Sequence, residues 1–398
     1  MSYRFATRTS RLRSSAIRDL LKVTEMPDML SLAGGLPTAD SFPLADLRRE
    51  ADRLLGEFGP RVVQYSATDV VPELRRWIAS TYGDVLGRPV AVDGDVVVTH
   101  GSQQALDLIA KVLVDPGDVV VSESPAYLGA VQALELFEPR FEVVPGDEHG
   151  MRVELLAERL AQGLRPRLVY VVPNFHNPSG ATMSLERRRL LARLADEYEL
   201  LVVEDDPYGA IRFAGEPLPP VAAFSERVVH LSTFSKIVAP GFRVGWMIGP
   251  PEVMSWVTRA KQAADLHTST FAQLLLANIV DQPGWLDVQK ERIVPMYRDR
   301  CHALADALES RIGDRVRFHR PEGGMFLWSE FDDVPDTSAL LRHAVAEGVA
   351  FVPGSAFTID QVPGPMARFS YSTLAPDRLD EAVRRLAAGL AAHDVERR

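Results

Sequence analysis

The chain contains a single cysteine, Cys301. One thiol rules out an intrachain disulfide and offers no thiolate cluster to a metal, which leaves a buried structural thiol as its expected role. Nor is there an unbroken apolar run of the roughly 18 residues that a spanning helix needs, so no membrane segment is expected. The basic opening MSYRFATRTSRLRSS leads into no apolar stretch and does not read as a secretory signal, so the expected location is cytoplasmic. A basic stripe interleaved with aromatics is also missing. With a net charge of −10 and a pI near 5.5, nucleic acid is not expected as a partner. Internal repeats and low-complexity linkers are absent too.

What remains is an ordinary globular composition, 46% hydrophobic and 25% charged, with small polar or acidic molecules left open as substrates. At 398 residues and 44.0 kDa the chain exceeds the length at which one core usually stops growing, so a large domain with a smaller one beside it is expected. Between about Val96 and Gly249, short β-branched runs alternate with helical stretches. This is the pattern of βα units around a mostly parallel sheet, an α/β class. VVVTH (Val96 to His100), VVVSE (Val119 to Glu123), LVYVV (Leu168 to Val172), LVVED (Leu201 to Asp205), VVHLS (Val228 to Ser232) and VGWMI (Val244 to Ile248) are near-continuous apolar runs. Strands covered on both faces read this way. From about Trp285 the pattern becomes α+β, with a strand expected at Ala350 to Val352. The expected division is therefore a segment 1–42 packing on the small domain, a large domain 43–285 and a small domain 286–398. Arg-rich pieces such as ERRR (Glu186 to Arg189) read as a solvated helix face.

Four motifs carry chemistry. In THGSQQALDL a strand ends at His100, Gly101 permits a tight turn and Ser102 opens an amphipathic helix. The backbone N–H groups of Ser102 and Gln103 are thus free for an anion, although Ser at a helix start is more often a plain N-cap. In STFSKIVAPGFRVGW a strand ends near Ser232 and a loop presents Lys236, with Arg243 seven positions later. Partial desolvation there would favour a neutral nucleophilic amine, and Arg243 suits a phosphate. LLVVEDDPYGA ends a buried strand in Glu204, Asp205 and Asp206, followed by Tyr208, at the edge where open α/β sheets hold ligands. Metal binding is the rival reading, but the acids are not at ligand spacing, and His176 and His267 stand singly, so no metal site is assigned. VVPNFHNPSG runs a strand into a turn at Asn177, Pro178 and Gly180.

The order of these motifs, with Tyr127 between the first and the last, resembles fold-type I aminotransferases of the class I/II group, which depend on pyridoxal 5′-phosphate (PLP). The likeness is strongest to the branch holding 2-aminoadipate and kynurenine aminotransferases. LAGGLPTADSFP, QYSATDVVPELR, ESPAYLGA, NPSG, EDDPY, FSKIVAPGFRVGW, KQAADLHT and GGMFLW carry it, over nearly the whole chain from about Arg13 to Leu390. The resemblance implies the three-layer PLP-transferase fold, with the mostly parallel sheet in the large domain and a smaller α+β domain. It implies that Lys236 carries PLP in Schiff-base linkage, that Asp205 pairs with the ring nitrogen, that Asn177 and Tyr208 bond the 3′-oxygen and that Tyr127 stacks on the ring. Ser102, Gln103, Thr233, Ser235 and Arg243 would hold the phosphate. Tyr65 would reach the phosphate of a neighbouring subunit, implying a homodimer with shared sites. Arg368 would grip the substrate carboxylate, with Gly35 and Asn177 beside it.

In relatives of that branch a glycine often follows the acidic residue of the QYS segment, whereas here Asp69 is followed by Val70 and Val71. A differently shaped side-chain pocket is therefore expected, built from residues such as Leu36, Tyr65 and Phe357. Arg18 matches an arginine that can meet a distal substrate carboxylate, or it is a helix-surface arginine. If it acts, glutamate and 2-oxoglutarate are the natural pair in a ping-pong transamination. The rival readings are another PLP reaction on the same fold, a β-lyase, decarboxylase or racemase, and a PLP-binding regulatory domain. Against the last, such regulators carry a winged-helix domain, and few residues precede the GGLP motif.

Overall fold

The computed structural model describes residues 3–12, 28–68 and 71–396. Its central sheet is built from β1 (Val96–Thr99), β2 (Val119–Ser124), β3 (Arg140–Asp147), β4 (Gly150–Met151), β5 (Leu168–Val171), β6 (Leu201–Asp205), β7 (Val228–Thr233) and β8 (Gly245–Ile248). They lie in the order β1-β8-β7-β6-β5-β2-β3-β4. Strands β7, β6, β5, β2 and β3 pair in parallel. β8 runs antiparallel to both neighbours, and β4 folds back on β3.

The apolar runs are continuous because both faces are covered. Val169 and Val171 of β5 enter one core with Leu191 and Leu194 of the helix Leu185–Glu197. Leu168 and Tyr170 enter the other, with Leu106 and Ile109 of the helix Gly101–Leu113. The architecture is the mostly parallel α/β fold that the alternating pattern predicts, joined to a smaller antiparallel sheet.

That second sheet has the order β9-β10-β12-β11, formed by β9 (Val316–Phe318), β10 (Phe326–Phe331), β11 (Val352–Pro353) and β12 (Met366–Ser370), all antiparallel. Helices Trp285–Arg311, Thr337–Ala346 and Pro376–Glu396 cover it with Leu304, Leu308, Leu340 and Leu386. The single strand expected over 350–352 is instead broken at Phe351. Val349 and Ala350 pair in parallel with Leu30 and Ser31, while Val352 joins β12. Phe351 turns inward between the two pairings and packs 5.4 Å from the ring of Phe369. Through this pairing the chain after Ser31 is led to the carboxyl edge of the central sheet at Ala33 and Gly35.

One expectation is overturned. Within ERRR, Arg188 is not solvated but fully buried. Its guanidinium donates to the carbonyls of Met183 (2.9 Å), Pro173 (2.8 Å) and Pro219 (3.2 Å) and to Asn174 Oδ1 (2.7 Å). The Pro173 carbonyl also accepts from Met183 N–H at 2.8 Å, and one arginine fork ties these acceptors from the turns after β5 and before β7 together. It thereby fixes the stretch that leads to Asn177. Arg188→Leu is expected to destabilise the fold by roughly 2–4 kcal/mol, because buried acceptors lose their donors. Chemical denaturation measures this, and a change within about 0.5 kcal/mol, typical of a surface site, would contradict it.

Candidate active site

The parallel strands end at one edge, and the loops beyond them enclose a cavity of about 560 Å³. Ser102, Gln103, Tyr127, Asn177, Asp205, Tyr208, Thr233, Ser235, Lys236 and Arg243 line it, with Leu36, Gly129, Gln132, Val172 and Phe357 among the remainder. Four separate sequence motifs are thus brought to one place.

At one end lies an anion cradle. The helix Gly101–Leu113 begins after His100, which makes no side-chain cap, so its first N–H groups face the cavity with the helix dipole behind them. Gly101 has φ +72°, and a Cβ there would lie 2.8 Å from Arg243 Nη2. A Cβ at Gly245 would lie 2.9 Å from Gly101 Cα. The two glycines therefore let the start of β8 pass against the helix start and bring the Arg243 guanidinium over it. Arg243 itself adopts a left-handed conformation, φ 54°. Thr233 Oγ1 stands 2.9 Å from Ser235 Oγ and 3.1 Å from the Val244 carbonyl.

Below the cradle, Asp205 ends β6 and is buried, accepting from Tyr170 O–H at 3.0 Å through Oδ2. Its Oδ1 and the neighbouring Ser102 Oγ are buried with no hydrogen bond of ordinary geometry. Burial pushes the Asp205 carboxyl up to about 7, offset in part by Tyr170 and Ser102. A free carboxylate oxygen at the bottom of a cavity is a place for a cationic donor. Of its acidic neighbours, Glu204 lies away from the cavity and accepts from the N–H groups of Val221 (2.8 Å) and Ala222 (3.1 Å), while Asp206 accepts from Gly209 N–H.

Lys236 Nζ donates to the Gly35 carbonyl at 3.2 Å and lies 5.7 Å from the centre of the Tyr208 ring. Burial, with Arg243 and Arg368 nearby, lowers the amine to about 8. Tyr127, whose hydroxyl burial pushes up to about 12, lies across Gly129, where a Cβ would come within 2.6 Å of its ring. Gly129 is the residue that makes room for that ring.

Arg368 sits behind this wall, buried, in register opposite Trp328 on β10. It donates to Asn177 Oδ1 at 2.8 Å and to the Ala33 carbonyl at 2.6 Å. Phe326 and Phe357 flank the guanidinium at 4.2 and 4.7 Å, and its Nε has no partner. Burial lowers its pKa to about 10, so it stays charged at neutral pH.

One expected residue stands elsewhere. Tyr65 is 81% exposed, packs edge-on against His267 and does not line its own chain's cavity. Of the pocket residues named with it, Leu36 and Phe357 do line the cavity. Arg18, with Asp69 and Val70, lies outside the described residues. Tyr170, Gln132 and Gly129 were not legible as site residues. Tyr170 falls inside a strand that reads as pure core, and only the alternation of β5, which sends it to the face opposite Val169, could have placed it beside Asp205.

Such a cavity, at the carboxyl edge of an open α/β sheet, is where enzymes of this class hold their ligands. The sequence profile of the aminotransferase class I and II family matches residues 27–386. The chain belongs to that family and is a PLP-dependent aminotransferase. It is 40% identical to the aromatic-amino-acid aminotransferase 1 of Thermococcus litoralis over 96% of this chain and 93% of that protein. It is 39% identical to the 2-aminoadipate transaminase of Thermus thermophilus over 97% and 96%. The crystal structure of Pyrococcus horikoshii kynurenine aminotransferase, in complex with PMP, kynurenine as substrate and its product, superposes with a TM-score of 0.92 at 40% identity, covering 98% of this chain and 97% of that one.

The residues fit PLP. An unpartnered carboxylate oxygen meets the need of a protonated ring nitrogen, a cradle of helix N–H groups, hydroxyls and arginine meets that of a phosphate, and a depressed lysine amine meets that of an aldehyde. In the cofactor-free protein, Lys236 should react with an amine-selective acylating reagent at a rate that rises through about pH 8. Peptide mapping after timed labelling measures it. A rise only at the pH of an ordinary lysine, above 10, would contradict the lowered value.

Proposed function

We propose that this aminotransferase moves the amino group of an L-amino acid with an aromatic or long side chain to 2-oxoglutarate, by a ping-pong route. The observation that carries the reading is the meeting of Lys236, Asp205 and, through Asn177, Arg368 around one cavity. The substrate class is supported by the relatives, which are named for aromatic amino acids, 2-aminoadipate and kynurenine. It is supported also by the apolar wall of Leu36, Leu128 and Phe357.

In this reading the N–H groups of Ser102 and Gln103, the hydroxyls of Thr233 and Ser235, and Arg243 hold the phosphate. When bound, PLP supplies an electron-withdrawing ring that stabilises negative charge at the substrate α-carbon. Asp205, through its free oxygen, holds a proton on the ring nitrogen, and Tyr170 keeps that carboxylate in place. Asn177 and Tyr208 bond the 3′-oxygen, and Tyr127 covers the ring face. Arg368 takes the substrate α-carboxylate, with Asn177 and Gly35 beside it. Lys236 Nζ, neutral once its proton has left, would take the proton from the substrate Cα and hold it as an ammonium within the same enclosed space, so its transfers are effectively intramolecular. Arg18 is assigned to a distal carboxylate, such as that of glutamate.

The same reading makes the protein a homodimer in the cytoplasm, with Tyr65 completing the partner's phosphate site. Tyr65, Val63, Leu44 and Leu266 are each more than half exposed, and a second copy would cover them. The large domain, 43–285, would hold PLP and the small one, 286–398, Arg368, with 1–42 packed on the latter.

Glutamate or one aromatic or long-chain amino acid, added to the PLP-loaded enzyme, should release its own 2-oxo acid in stoichiometric amount and leave the amino group on the enzyme. Accumulation of ammonia with pyruvate, or of carbon dioxide, would show a different PLP reaction. Arg368→Lys should raise KM for every amino acid by roughly 10–100-fold, since a lysine cannot form the bidentate grip. Unchanged KM values would remove Arg368 from that role.

A further inference from the structure

Two buried ionisable side chains near the cavity have no part in the chemistry above. Glu123 is the next-to-last residue of β2, four positions before Tyr127, and His176 immediately precedes Asn177. Both are 3% exposed. Glu123 Oε2 accepts from the Val172 N–H at 2.8 Å and stands 3.5 Å from His176 Nε2. His176 Nδ1 lies 2.8 Å from Ser179 Oγ, and Ser179 Oγ accepts from Ala181 N–H at 3.2 Å. The His176 backbone closes the same turn, donating to the Ala181 carbonyl and accepting from Gly180 N–H. One carboxyl–imidazole contact therefore bridges the two loops that present Tyr127 and Asn177.

We propose that Glu123 and His176 are positioning residues which share one proton, carried by the Glu123 carboxyl and directed at His176 Nε2, and so lock the Tyr127 and Asn177 loops together around the cofactor. This rests on the assignment of Tyr127 and Asn177 to PLP. His176 Nε2 is buried with no hydrogen bond of ordinary geometry at this 3.5 Å separation. Assigning Nδ1 as the donor to Ser179 Oγ makes Nε2 an acceptor, which a bare carboxylate would repel, so a single proton on Glu123 suffices. Burial acts in the same sense on both groups, pushing Glu123 up to about 8 and His176 down to about 3. The remaining ionisable groups around the pair have other commitments or stand across open space. Tyr170 is given to Asp205, and Asp147 is held by Arg187 at 2.7 Å. Glu148, Arg317, His319 and Glu330 face the pair across a second cavity of about 390 Å³, with Arg317 engaged by Asp332 at 2.7 Å.

PLP affinity of the apoprotein, titrated by absorbance from pH 6.5 to 9.5, tests the lock. Relative to Glu123→Gln, the wild type should lose affinity as pH rises through about 8, where the shared proton leaves. Glu123→Gln, neutral at every pH, should match it within about twofold at pH 7 and lose roughly tenfold less between pH 7 and 9.5. Lys236 titrates identically in both and cancels in the comparison. His176→Leu should weaken PLP about tenfold at pH 7, and His176→Gln, which still accepts a proton at that position, should restore it. Identical pH profiles for wild type and Glu123→Gln would overturn the shared proton, even if His176→Leu failed to fold. A wild type that takes up no PLP would instead overturn the reading on which the inference rests.

Discussion

The site is organised around one buried carboxylate at the bottom of the cavity. Asp205 closes β6 in the middle of the sheet, with Tyr170 on one oxygen and no hydrogen bond of ordinary geometry on the other, beside Ser102. An isolated buried charge is costly, and the raised pKa of this group expresses that cost. The arrangement is stable in the charged form only when a cationic donor meets the free oxygen. Lys236 is under the complementary pressure, its amine lowered by the same burial and by two guanidinium groups. An acid held up and an amine held down in one cavity are the conditions under which a small basic aromatic ring binds tightly and a neutral lysine is available for proton transfer.

Everything else in the fold serves to deliver groups to that cavity. The parallel strands β2, β5, β6 and β7 end together, so their loops bring Tyr127, Asn177, Asp205 and Lys236 to one edge. The antiparallel β8 adds what a parallel strand could not. Its beginning, rather than its end, lies at that edge, and this sets Arg243 over the start of the helix Gly101–Leu113. Gly101 and Gly245 are required there by contact distance. The second sheet contributes Arg368 from behind, and the pairing of Leu30 and Ser31 with Val349 and Ala350 leads the early chain to Ala33 and Gly35.

Much of this was legible in the sequence, for a physical reason. Strands buried on both faces read as unbroken apolar runs whose following loops face ligands in an open sheet. That placed Asp205 and Lys236 as candidates, while Asn177 read as a turn until the order of the motifs and the family resemblance gave it a role. Arg188 was misread because a run of charge looks solvated unless the carbonyls it will satisfy are known, and these come from distant turns. Tyr170 was hidden by the same apolar pattern that revealed its strand. The Glu123–His176 contact was invisible because it joins residues 53 positions apart through strand order alone. The break at Phe351 depends on a choice between two pairing partners, which local propensity does not encode.

The claim on which the account stands is that Lys236 is the residue that bonds PLP. The chain has few lysines, at positions 22, 111, 236, 261 and 290, so the experiment is decisive. Purified enzyme loaded with PLP is reduced with borohydride, digested, and searched for the peptide carrying the phosphopyridoxyl group. The account predicts that group on Lys236 in STFSK, at a stoichiometry near one per chain. Its appearance on Lys111, Lys261, Lys290 or Lys22, or on no lysine at all, would contradict the account.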